Sequence, residues 1–134
     1  MNFYRLSCIL LPITLFATAL QGQNPPQTPE EKEKQLLEFV DKEVTRLSEL
    51  LNLEYWQEYN VDSILTHDYK AMTKELEALQ QAKVENTDLY INVQDKWREQ
   101  IDQAYQKLFT DEQWKKYLKS GGARQKKSRD KRKK

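Results

Sequence analysis

Between Pro29 and Gly121 the chain has no proline and no glycine, the two residues that most often break helices. What fills that stretch is Glu, Lys, Gln and Leu, which is a helix-forming inventory. Cysteine occurs once, as Cys8 near the N-terminus. A body without cysteine cannot be stapled by disulfides and must be held by its apolar core. Histidine also occurs once, as His67, so no His-x-x-x-His pair exists to ligate a metal. The three glycines, Gly22, Gly121 and Gly122, form no phosphate loop or dinucleotide fingerprint. No Asn-x-Ser/Thr acceptor for N-glycosylation is present.

Net charge is another apparent absence, since the whole chain sums to +1. The sum conceals a division. Residues 24–122 hold 13 basic and 20 acidic side chains, a net of −7. Residues 123–134 hold eight basic side chains, Arg124, Lys126, Lys127, Arg129, Lys131, Arg132, Lys133 and Lys134, against Asp130 alone, a net of +7. An acidic helical body with a basic tail is expected. The tail has no apolar residue beyond Ala123, so composition predicts disorder over 123–134.

The N-terminus reads as an export signal. Arg5 supplies a positive start, Leu6 to Leu20 is largely apolar, and Ala17-Thr18-Ala19 is a small-x-small cleavage site, with Leu20-Gln21-Gly22 as a weaker one. The alternative is an uncleaved anchor. The apolar stretch spans 15 positions and contains Pro12, against roughly 20 residues needed to cross a bilayer. Cys8 lies too early in that stretch for a lipoprotein. The expected organisation is a cleaved signal over 1–22, a linker over 23–29, one helical domain over 30–122 and the tail over 123–134. The expected location is the periplasm.

Apolar spacing places the helices. Thr28 is a cap candidate, with Pro29 at the first helical position and Glu30 and Glu31 in the first turn. Leu36, Val40, Val44, Leu47 and Leu51 then form one stripe. A second helix, from Glu54 to about Lys83, carries Val61, Leu65, Tyr69 or Met72, Leu76 and Leu79. Glu85 to Asp88 favours a break. A third helix carries Trp97, Ile101, Tyr105 and Leu108, and a short fourth bears Trp114, Tyr117 and Leu118 before Gly121-Gly122 ends it. The fold class expected is all-α, an elongated helical hairpin of three main helices plus a short C-terminal one. Long helices with narrow stripes hide their apolar faces in a dimer or present them to a partner.

One pattern occurs twice at helix starts. The clear copy is Phe109-Thr110-Asp111-Glu112-Gln113. Thr110 and Gln113 have the capping-box spacing, and Phe109 and Trp114 are placed for a hydrophobic staple. The second copy is Leu53-Glu54-Tyr55-Trp56-Gln57, 56 positions earlier, with Glu54 a weaker cap than Thr110. Two such copies in a small, exported helical chain resemble the LTXXQ-motif family of periplasmic proteins, the Spy/CpxP-like proteins. Leu53 and Phe109 match the family Leu, Thr110 its Thr, and Gln57 and Gln113 its Gln, whereas Glu54 departs from the pattern. The resemblance covers Asn52 to Leu118. It implies an ATP-independent periplasmic chaperone or envelope-stress modulator, a concave homodimer that cradles non-native proteins. His67 alone does not match the branch of that family that senses metals through histidines.

Reactive chemistry is sparse. His67 could be drawn with Ser63 as a nucleophile–base pair, but no oxyanion donor accompanies them, and Asp68 is expected on another helix face. No catalytic, cofactor or metal site is expected, and the protein is read as non-enzymatic. Tyr55, Trp56 and Tyr59 exceed what one stripe needs. They pack against the fourth helix through Trp114 and Tyr117, or they form an exposed contact patch for clients. The tail is a solubilising extension or a contact for anionic lipid. Nucleic acid is disfavoured, because no aromatic is interleaved for base stacking. Two function classes compete with the chaperone: an adaptor for one membrane-associated protein, and an anionic-surface binder working through the tail.

Overall fold

A computed structural model describes residues 26–134. The expected signal peptide and the first three residues of the linker, 23–25, lie outside the described residues. Among the described residues the chain is all-α, with no strand. The elements are α1 (Pro29–Leu51), α2 (Tyr55–Gln81), α3 (Thr87–Leu108), α4 (Asp111–Tyr117), a π turn (Leu118–Gly122) and α5 (Ala123–Arg132).

The helix boundaries follow local chemistry. Thr28 Oγ1 accepts from the Glu31 N–H, and the Glu31 carboxylate accepts from the Thr28 N–H at 2.9 Å, a reciprocal capping box with Pro29 just inside. α1 stops at Asn52, which takes the left-handed conformation at φ 52°. α2 runs 27 residues, about 40 Å at 1.5 Å per residue. Lys83, at φ 53°, turns the chain, and Asn86 then caps α3 by accepting from the Asp88 N–H at 3.0 Å. The turn thus spans 82–86, slightly ahead of the expected break at 85–88, and Thr87 and Asp88 already belong to α3.

α2 packs against both α1 and α3, and α4 packs against α1. The core draws Val40, Leu47 and Leu51 from α1, Val61 and Leu65 from α2, and Ile101 and Tyr105 from α3, closed by Leu53 and Phe109. These are stripe and motif positions. Each such side chain contributes roughly 1.5–3 kcal/mol on burial. The stripes fade at their outer ends, where Leu76, Leu79 and Trp97 are only half-buried. No helix among the described residues is long and apolar enough to cross a membrane.

The expectation of a disordered tail is overturned, because 123–132 is helical. Nor does the helical run end at Gly121-Gly122. Gly121 turns at φ 125°, a conformation that side-chain-bearing residues rarely adopt, and Gly122 resumes helical geometry. Gly122 is needed for space, since a Cβ there would lie 2.9 Å from the Tyr117 ring. Composition argued only from the missing apolar area. It left out the ion pairs that α5 makes with α3.

Candidate functional site

The two motifs meet. Gln57 Nε2 donates to Gln113 Oε1 at 2.8 Å, and Gln113 Nε2 donates back to Gln57 Oε1 at 3.0 Å. Each glutamine also closes its own helix start: Gln57 Oε1 accepts from the Glu54 N–H at 3.0 Å, and Gln113 Oε1 accepts from the Thr110 N–H at 2.9 Å. Each amide then reaches the end of the helix before the other motif, Gln57 to the Leu108 carbonyl at 3.2 Å and Gln113 to the Leu51 carbonyl at 3.4 Å. The pattern is reciprocal, so helix pair α1–α2 and helix pair α3–α4 are joined at matching points. Leu53 and Phe109, which precede the two helix starts, are buried, and the paired amides are part-buried. Gln57 is itself buried, and a buried amide is tolerated because its polar atoms are paired.

The two copies differ at the cap. Thr110 Oγ1 accepts from the Gln113 N–H at 3.3 Å, completing a capping box. Glu54 instead turns its carboxylate to the Trp56 indole N–H at 2.5 Å. Tyr117 lies against both Phe109 and Trp114, with ring centroids at 6.2 Å and 5.3 Å, so the fourth helix docks through a three-ring cluster.

Tyr55, Trp56 and Tyr59 do not pack beneath the fourth helix, which overturns that reading. They are 88%, 52% and 71% exposed. The reason is register. Gln57 and Val61 turn inward, and the three aromatics fall on the opposite side of the first turns of α2. Glu54 is also exposed beside them, so the patch combines aromatic rings with negative charge.

A polar cleft of about 370 Å³ lies where the helices converge, lined by Arg46, Tyr69, Asp102, Tyr105, Tyr117 and Arg129 among others. Tyr117 Oη donates to Asp102 Oδ1 at 2.7 Å. Burial pushes the Tyr105 and Tyr117 hydroxyls up, reinforced by neighbouring Asp102 and Glu43. Both phenols are therefore held further from ionisation than in water, which suits packing and not base chemistry.

On the outer side of α3, three basic residues of α5 and Lys133 just past its end meet three carboxylates. Arg132 binds Asp95 through two bonds of 2.7 Å, and Arg129 binds Asp102. Lys126, Arg129 and Lys133 approach Glu99 at 3.4, 3.5 and 3.9 Å. The hydrogen bond from Arg132 holds the Asp95 carboxyl below its usual range against the opposing effect of burial. Burial works to raise Glu99, but Lys126, Lys133 and Arg129 together outweigh it and the carboxyl is held low. Arg124, Lys127, Lys131 and Lys134 have no such carboxylate partner among the described residues. Asp95, Glu99 and Asp102 were missed by sequence reasoning. The signal was available, since acids at 95, 99 and 102 and bases at 126, 129 and 132–133 both repeat at helical spacing.

Asp68 falls on another helix face than His67, as expected, being buried where His67 is exposed, yet His67 Nδ1 lies 2.8 Å from Asp68 Oδ1. The His67 side chain is 74% exposed and swings back towards buried Asp68, which also accepts from Gln100 Nε2 at 3.2 Å. No hydrogen bond joins Ser63 to His67 among the described residues. No protein-family model, curated protein or solved structure matches the chain.

Proposed function

We propose that this is an exported, non-enzymatic helical protein that binds non-native polypeptides without nucleotide, a periplasmic chaperone or envelope-stress modulator of the LTXXQ, Spy/CpxP-like type. The observation that carries this reading is the solvent-facing Tyr55, Trp56 and Tyr59 cluster at the start of α2. Three aromatic rings kept out of the core and set beside a carboxylate provide apolar contact area with a polar edge, which suits extended chains of varied sequence. The reciprocal Gln57–Gln113 pair supports it, because it fixes the helix that carries the patch. A homodimer with the patches on a shared inner face is the assembly proposed.

The test is suppression of aggregation of unrelated clients by the mature protein without ATP. Protection is expected, and it should fall several-fold when Tyr55, Trp56 and Tyr59 are all replaced by serine with helicity retained. Full activity in that variant would remove the patch from the mechanism. Recovery of a single stoichiometric membrane-associated partner, with no protection of unrelated clients, would identify an adaptor instead. Export is checked by the mass of the envelope form, whose N-terminus should fall between Leu20 and Asn24.

A further inference from the structure

α5 is an unusual helix to find docked. Past Ala123 it has no apolar side chain, so hydrophobic burial does not hold it. It reaches α3 through long basic side chains set against Asp95, Glu99 and Asp102, which form one row at spacings of four and three. The chain thus already carries, in cis, a basic segment seated on this row. The seating is imperfect. Arg129 is 2% exposed, yet its Nε has no hydrogen-bond partner and points towards Glu99 Oε2 at 3.5 Å. A buried donor left unpaired weakens the contact that buries it. Gly121, at φ 125°, gives the connection to α4 a turn that other residues strain to make.

We propose that the Asp95–Glu99–Asp102 face of α3 is a docking site for basic polypeptide segments, and that α5 is its resident occupant, which an incoming segment must displace. This rests on the reading of the chain as a polypeptide-binding protein and adds a second surface to it, with its own ligand chemistry. The aromatic patch offers apolar contact, and the α3 row offers charge. α5 sets the threshold: a face open about a tenth of the time binds about 10-fold more weakly than one always open. Only segments with several closely spaced lysines or arginines match the four cations that α5 and the adjoining Lys133 supply.

The experiment uses the full mature chain, fluorescein-labelled oligolysine as probe and fluorescence anisotropy at low salt, with hydrogen exchange of the 123–132 amides read in parallel. In the parent, α5 amides should be protected at low salt. They should lose protection near 1 M salt, where the screening length is about 3 Å, while α1–α4 stay protected. R129Q/R132Q should release α5 and bind oligolysine about 10-fold more tightly. K127Q/K131Q makes the same change in net charge without touching α3 and should behave as the parent. D95N/E99Q should release α5 and yet bind oligolysine more weakly than R129Q/R132Q by a similar factor.

Equal tightening by K127Q/K131Q would show that bulk charge is responsible and overturn the proposal. So would release of α5 in R129Q/R132Q with unchanged affinity, or continued protection of α5 in both α3-facing variants. Displacement of α5 by phosphatidylglycerol vesicles, with no binding of oligolysine, would also overturn it and assign the binding to α5 itself. Failure of client protection with the oligolysine pattern intact would remove the chaperone reading and leave this face standing.

Discussion

Two junctions hold this molecule together, and they are built from opposite materials. At the paired motifs, neutral amides from Gln57 and Gln113 bond to each other and to helix ends, next in sequence to buried Leu53 and Phe109. At the outer side of α3, charged groups from α5 meet carboxylates in settings that run from buried, at Arg129 and Asp102, to half-exposed, at Arg132. Neutral bonds sealed by apolar side chains respond little to salt or pH. Ion pairs respond to both: the exposed pairs contribute modestly because water competes for each partner, and the buried Arg129–Asp102 pair depends on both partners staying charged. The first junction therefore fixes the fold, and the second is suited to opening within a folded protein.

The comparison can be broken from its strong side. Phe109→Ala should cost about 3–5 kcal/mol, because it empties a site shared with Tyr105 and Tyr117. Chemical denaturation reads this directly, and a loss no larger than that of an α5 variant would show that the motif junction is not the main seal. Gln57→Ala should cost about 2 kcal/mol by stranding the Glu54 N–H and the Gln113 amide. Adding Gln113→Ala should cost less than the sum of the two single changes, since the bonds between the two amides are already lost in the first. Strict additivity in that double-mutant cycle would mean that the amides do not act as a pair.

Smaller effects sharpen the contrast. Thr110→Ala should cost about 1 kcal/mol, seen in a thermal melt, by removing the side-chain acceptor at the α4 start. Acid should separate the two junctions most finely. Asp95 and Glu99 have folded pKa values below their ordinary 3.8 and 4.5. Carboxylates of that kind stabilise the docked state fully above those ordinary values, and the contribution is lost as pH falls through the lower folded ones. Hydrogen exchange of α5, corrected for the intrinsic rate, should therefore accelerate below about pH 4, while α4 amides near Gln113 remain protected. Simultaneous loss of both would show that the junctions open together.

Much of the architecture was legible in the chain. The stripe through Val40, Leu47 and Leu51 is the buried face of α1, Val61 and Leu65 are that of α2, and the capping box at Thr110 and Gln113 forms where its spacing places it. Gln57 and Gln113 could be picked out as motif residues, but their meeting could not. Capping is a local bond within one turn, whereas the pairing spans 56 residues and depends on how the helices pack. Tyr55, Trp56 and Tyr59 show the same limit. Their excess over the stripe was visible, and whether a fourth helix would cover them was not. The tail was misread because an apolar count predicts folding only where burial drives it.

Helix, turn and cap were determined by the sequence itself, since each depends on residues within about one turn of the chain and on apolar periodicity that any helix must bury. The location of the signal-like stretch and the separation of charge were equally written in residue order. Tertiary structure alone decided that two glutamines would share their amides, that three aromatic rings would face water, and that a basic tail would lie along Asp95, Glu99 and Asp102. Those outcomes depend on distances between segments remote in sequence, where a charge or an amide finds a partner only after the helices have packed.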